Sequence, residues 1–203
     1  MTDRATTNRR PLKSRSTHLA AAVARATLAI GLSANAVSFL GIVIAAVGAW
    51  AAVRGGADPR FFLLAAVCIQ LRLLANMLDG MVAVEGGRGS PDGAIWNEFP
   101  DRVEDSLLLV AFGYAVGPAW LGWTAALLAA ICAYVRLLGG SLGQPQDFGG
   151  PMAKPHRMAA LTLGAVIAIF WPPIIVVTLA LISAGTGLTI ALRLRRLGRA
   201  LRG

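Results

Sequence analysis

Residues 76–106 read NMLDGMVAVEGGRGSPDGAIWNEFPDRVEDS and hold seven of the chain's ten acidic residues: Asp79, Glu85, Asp92, Glu98, Asp101, Glu104 and Asp105. The rest of the sequence is apolar. Of 203 residues 56% are hydrophobic and only 14% charged, where a soluble domain carries about 25% charged residues. Residues 106–135 and 158–192 contain no charge, and each is long enough to supply most of two membrane spans of roughly 20 residues joined by a turn. Pro118 in YAVGPAW divides the first run and Pro172 and Pro173 in FWPPI divide the second, because proline ends or kinks a helix.

Two further runs lie upstream, at 36–53 and 61–78, the second interrupted only by Gln70, Arg72 and Asn76. A helix over about 93–115 must then carry the acids on its first half. The expected fold is an all-α membrane protein of six spans, since helices satisfy the backbone in lipid and the period-2 alternation of a barrel is missing. Residues 1–30 form a basic segment in which STHLAAAVARATLAIGLS (16–33) suggests a surface helix, capped by Ser16 or Thr17, with Leu19, Val23, Ala26 and Ile30 on one face. The membrane domain covers 31–195 and a basic tail 196–203. Arginines cluster before the first span and after the last, which sets both termini, and the loops at 85–92 and 139–155, on the cytoplasmic side of the cell membrane. The formal net charge of +9 is then a matter of topology and anionic lipid rather than nucleic acid. Cys68 and Cys132 fall inside spans and read as small core residues.

Helical spacing orders the acids. Asn76 and Asp79 are three apart, with Arg72 four before Asn76, while Gly93, Asn97, Asp101 and Asp105 step by four. Two polar faces therefore meet across a short hairpin. A carboxylate at membrane depth is costly and marks a site, and oxygen donors without thiolates suit Mg²⁺ or Mn²⁺ and, through the ion, a phosphate. Asp92 and Glu98, near a helix start, also serve the helix dipole, and Glu85 sits in a solvated Gly-rich loop.

The pattern resembles the signature of the CDP-alcohol phosphatidyltransferase family, D-x-x-D-G-x-x-A-R, then eight residues, then G-x-x-x-D-x-x-x-D. Here it reads N-M-L-D-G-M-V-A-V and G-A-I-W-N-E-F-P-D, with Asp79, Gly80, Ala83, Gly93 and Asp101 matching in type. GLSANAVSFLG (31–41) is similar to the family's T-P-N-x-x-T opening, and AKPHRMAALT (153–162) to its basic segment before the fifth span. Asn76 and Asn97 replace two signature aspartates, a loss of two negative charges, and Val84 replaces the arginine. Glu98 or Asp105 could support the metal, and Arg88 could take the place of the lost arginine.

The resemblance implies transfer of a phosphatidyl or related group from a CDP-linked donor such as CDP-diacylglycerol to an alcohol or phosphorylated alcohol, with release of CMP. It assigns Asn76, Asp79, Asn97 and Asp101 to the metal shell, Asp101 to the general base, and Gly80, Ala83, Gly93 and Arg88 to the nucleotide; the small residues equally suit helix packing. Arg136, Lys154, His156 and Arg157 suit an anionic acceptor, or simply the cytoplasmic side of the topology. Arg72, Glu98 and Asp105 are accessory positions, and a homodimer is expected. A family member that has lost chemistry and binds lipid or nucleotide is the alternative; a transporter accords less well with acids confined to one end.

Overall fold

A computed structural model describes residues 33–85 and 93–202 of the chain. Six helices follow one another: α1 (Ala34–Gly55), α2 (Phe61–Glu85), α3 (Gly93–Ala115), α4 (Ala119–Ser141), α5 (Lys154–Ala168) and α6 (Ile174–Ala200), with no strand among the described residues. Among the described residues four stretches are long and apolar enough to cross a membrane: Ala34–Gly55, Phe61–Val82, Ala119–Ser141 and Ile174–Ala200. The other two helices depart from the simplest six-span expectation. Helix α3 carries Glu98, Asp101, Arg102, Glu104 and Asp105, and α5 has only 15 residues, about 22 Å of rise against a hydrocarbon thickness of about 30 Å. The expected surface helix at 16–33 lies outside the described residues, as does the loop that contains Arg88.

The breaks occur where proline and glycine require them. Pro118 is the N-cap of α4, preceded by Gly117 at φ +96°, and α6 starts directly after Pro172 and Pro173. At the start of α1 the Ser33 hydroxyl accepts a hydrogen bond from the Ala36 amide at 3.2 Å. Helix α2 runs on to Glu85, so Asp79 and Gly80 are helical. Helix α6 likewise continues through residues expected to form the C-terminal tail.

The helices close a ring: α1 packs on α2 and α3, α4 on α3 and α6, and α5 on α2 and α6. Phe62, Ile69, Leu108, Leu109, Phe112, Met158, Leu161, Ile175, Leu179 and Ile182 fill its centre, with the Phe62 and Phe112 rings stacked at 6.0 Å. Where α3 crosses α4, a Cβ on Gly113 would lie 2.8 Å from the Gly122 Cα, an approach that only small residues permit. Outward faces are apolar, including Phe39, Val43 and Val47 on α1 and Leu63, Val67 and Leu71 on α2. Trp50, Tyr114, Trp120, Trp123 and Trp171 are exposed near one end of the ring, the arrangement of an interfacial aromatic belt. The acids of α2 and α3 lie at the other end. The chain is therefore a multi-pass, all-α membrane protein.

Candidate active site

The polar end is built from the start of α1, the later part of α2, the first half of α3, the end of α4 and the start of α5. Alternating chain direction brings these segments together, so residues far apart in sequence share one depth. Asp79 is nearly buried, and its Oδ2 accepts the Ser38 hydroxyl of α1 at 2.7 Å. Its Oδ1 is buried and has no hydrogen-bond partner. One turn earlier, the Asn76 amide nitrogen donates to Asp101 Oδ1 and, at 2.8 Å, to Glu104 Oε2. Lys154, the first residue of α5, donates its ammonium to the same Asp101 oxygen. Arg102 lies 3.3 Å from Asp101 Oδ2 and 3.7 Å from Glu98. The α2 and α3 polar faces thus meet, as the helical spacing requires.

Beneath this layer is a buried ion network. Arg72, fully buried, donates to Glu104 Oε2 at 2.9 Å and to Asp105 Oδ1 at 2.7 Å, while Arg157 of α5 donates to Asp105 Oδ2 at 2.8 Å. Two guanidiniums and two carboxylates balance, and they tie α2, α3 and α5 together. Asp105 is thereby committed on both oxygens, and Arg157 faces inward to it rather than toward an acceptor. Each charge left unpaired at this depth would cost several kcal/mol, on the order of 3–5, which is why the four occur as a set.

Glu98 meets Arg136 of α4, which also donates to Gln146 and lies 5.1 Å over the Phe148 ring. Next to Arg136 is a cavity of about 120 Å³ lined also by Gln144, Asp147, Arg193 and Arg196. Arg193 is anchored by the Gly149 and Cys132 carbonyls, each at 2.9 Å, and Arg196 by Asp147 at 2.7 Å. His156 is exposed, Gly80 is half-buried on α2, and Gly93 is the first residue of α3. Ala83 and Asn97 are placed as helical positions only, with Asn97 one turn before Asp101.

Three participants were absent from the sequence assignment. Glu104 stands three residues after Asp101, on the same helix face, so its spacing signalled it. Ser38 lies within the quoted opening segment 31–41, as the last polar residue of that motif. Gly41, also in that segment, faces both Glu104 and Asn76: a Cβ there would fall 2.5 Å from Glu104 Oε1 and 3.3 Å from Asn76 Oδ1.

These residues fit a hard divalent cation. The donors are carboxylate and amide oxygens, and two carboxylate oxygens, Asp79 Oδ1 and Glu104 Oε1, are buried without partners. Among the described residues no three His, Cys, Asp or Glu side chains meet at one point, and the cation on Asp101 is the Lys154 ammonium.

No family model matches the chain. The phosphatidylinositol phosphate synthase of Mycobacterium tuberculosis is 27% identical over 184 residues, which cover 85% of this chain and 82% of that protein. The Mycobacterium marinum enzyme of the same name is 28% identical over 85% of this chain and 76% of its own length. In three dimensions the chain superposes on the crystal structure of the M. tuberculosis synthase in complex with manganese and citrate with a TM-score of 0.76, at 24% identity over 88% of each chain. On the same synthase with CDP-DAG bound the TM-score is 0.75, at 22% identity over 89% of this chain and 94% of that one. The chain thus shares the fold of the M. tuberculosis synthase and is similar to it over most of both sequences, and the two halves of its spaced signature face each other across α2 and α3.

Proposed function

We propose that the protein is a membrane phosphotransferase of phospholipid synthesis that moves a phosphatidyl group from CDP-diacylglycerol, or a similar CDP-alcohol, to an alcohol hydroxyl. The acceptor oxygen bonds to the phosphatidyl phosphorus, the bond from that phosphorus to the CMP oxygen breaks, and the hydroxyl proton goes to a carboxylate. The observation that carries this reading is Asp101 within hydrogen-bond reach of both Asn76 on α2 and Lys154 on α5, at the end of the ring where Asp79 also lies.

Asp101 is the general base. It is partly exposed beside the buried acids Asp79, Glu104 and Asp105, so it combines access to a hydroxyl with nearby cations. Mg²⁺ or Mn²⁺ held by Asp79, Asp101 and the Asn76 and Asn97 side chains would supply charge neutralisation of the diphosphate and of the departing CMP. Lys154 provides a mobile point charge for a phosphate, and Asn76 orients Asp101 by its amide. Gly80, Ala83 and Gly93 let the nucleotide approach the helix backbones, with Arg88 on its phosphates. The cationic wall from Arg136 through Lys154 and His156 favours a phosphorylated acceptor, in keeping with the names of the mycobacterial relatives. The finer topology belongs to the same proposal: six spans in the inner membrane, an N-terminal surface helix, both termini and the site cytoplasmic, and a homodimer.

The test is transfer of labelled phosphatidyl from CDP-diacylglycerol to a panel of alcohols and alcohol phosphates, with CMP measured. Product with any acceptor supports the proposal. Asn76, Asn97 and Val84 favour a second reading, a scaffold that binds donor without turning it over; donor binding with no CMP release from any alcohol would establish it instead.

A further inference from the structure

Side chains of α2, α3 and α5 meet in two rungs one helical turn apart. In the buried rung Arg72 of α2 and Arg157 of α5 each donate to one oxygen of Asp105, at 2.7 and 2.8 Å. In the partly exposed rung Asn76, one turn on from Arg72, and Lys154, one turn before Arg157, both donate to Oδ1 of Asp101. Glu104 ties the rungs together, because its Oε2 accepts from Arg72 at 2.9 Å and from Asn76 at 2.8 Å. Helix α3 packs chiefly on α1 and α4, and α5 on α2 and α6, so these side chains rather than close helix packing set the register of α3 against α5. Stability does not call for such a set, since apolar residues of similar volume serve a buried site as well or better.

The Asn76 amide is where the rungs join. An amide presents donors on one side and an acceptor on the other. Here the nitrogen faces Asp101 and Glu104, and the oxygen lies toward α1, 3.3 Å from where a Cβ on Gly41 would stand. Turned over, the side chain would set its oxygen against two carboxylates. Asp101 guides this choice weakly, being partly exposed and already served by Lys154. Glu104 guides it firmly. It is fully buried, Arg72 holds its Oε2, and its Oε1 abuts Gly41, so it cannot exchange the amide for water.

We infer that Arg72 is a positioning residue: it holds Glu104, Glu104 fixes the face that Asn76 presents, and Asn76 fixes Asp101 so that Oδ2 takes the acceptor's proton. Oδ1 carries the Asn76 and Lys154 hydrogen bonds, and Oδ2 lies 3.3 Å from Arg102. The proton transfer at Asp101 rests on the phosphotransferase reading, whereas the orientation of Asn76 is measured without turnover.

The experiment labels the full-length chain in detergent micelles with ¹⁵N-asparagine, which marks the side-chain amides of Asn8, Asn35, Asn76 and Asn97 for NMR. The Asn76 signal is assigned by its loss in Asn76→Gln. In the wild type its amide protons should lie downfield of those of a free side chain and exchange slowly with water. Arg72→Met with Glu104→Leu removes both ions and leaves Asp105 paired with Arg157. The unfolding midpoint should then hold, the Asn76 signal should become that of a free, rapidly exchanging amide, and kcat should fall on the order of 10²-fold with KM for the donor unchanged. Arg72→Lys keeps a cation on Glu104 and should retain both the Asn76 signal and turnover within about threefold of the wild type. A purely structural Arg72 would leave the Asn76 signal and kcat of the double variant unchanged, which overturns the inference. So does an Arg72→Lys variant as impaired in both readouts as the double variant. A wild-type Asn76 amide that exchanges as fast as a free one overturns it as well, and that result needs no variant at position 72 or 104 to fold. Absence of CMP release in every assay, with the Asn76 pattern intact, would remove the phosphotransferase reading and leave the relay from Arg72 to Asn76 standing.

Discussion

Asp105 links the deepest part of the site to the stability of the whole ring. Its two oxygens each hold a different guanidinium, Arg72 at 2.7 Å and Arg157 at 2.8 Å, and its side chain is 3% exposed. Asp105→Asn keeps the shape and removes the charge. Arg72 retains Glu104, but Arg157 is left with the Met152 carbonyl at 3.4 Å as its remaining hydrogen bond and an Nε that already has no partner. One buried, uncompensated guanidinium costs on the order of 3–5 kcal/mol. At about 2–4 °C per kcal/mol for a chain of this length, the unfolding midpoint should fall by roughly 10 °C. Cys68 and Cys132 are buried free thiols, so a thiol-reactive fluorophore reports unfolding directly in detergent. The double variant Asp105→Asn with Arg157→Met should recover much of the loss, because it removes the stranded charge along with its partner. A midpoint lowered by less than about 2 °C in the single variant, or a double variant no better than the single, would refute the view that these ion pairs are a compensated set.

Gly41→Ala should act through Glu104: the new Cβ lies 2.5 Å from Oε1, so the carboxylate must move, at about 1–3 kcal/mol of overpacking with a matching loss of turnover. Unchanged midpoint and activity would show that the cradle yields freely. For topology, Ser90→Cys is expected to react with an impermeant thiol reagent from the cytoplasmic face only, and labelling solely from the opposite face would invert the orientation.

Much of this architecture is legible in the residues because it depends on local rules. The limits of α3 follow from the acid stripe and from the run that ends before Pro118, and the turn at Pro172 and Pro173 follows from backbone chemistry. Spacing also foretells the meeting of Asn76 with Asp101, since each lies on the polar stripe of its own helix. The length of α5 does not follow from hydropathy, which continues unbroken through Ile169, Phe170 and Trp171 although the helix has already closed at Ala168. Partner choice among charges is equally hidden. Arg157 reads as one more basic residue near a phosphate, yet it turns inward to Asp105, a choice fixed by how α5 docks on α2 and α6. Glu104 and Ser38 were readable in spacing and motif, but their roles depend on the approach of α1, which the sequence of α2 and α3 does not encode.

The central claim is that Asp101 performs chemistry rather than holding the fold. Wild type and Asp101→Asn should be compared on matched preparations for CMP release and for affinity toward CDP-diacylglycerol. Loss of a general base typically lowers turnover by about 10²–10⁴-fold, with donor affinity changed far less, because the interaction acts in the transition state. Equal turnover in the two proteins would contradict the account.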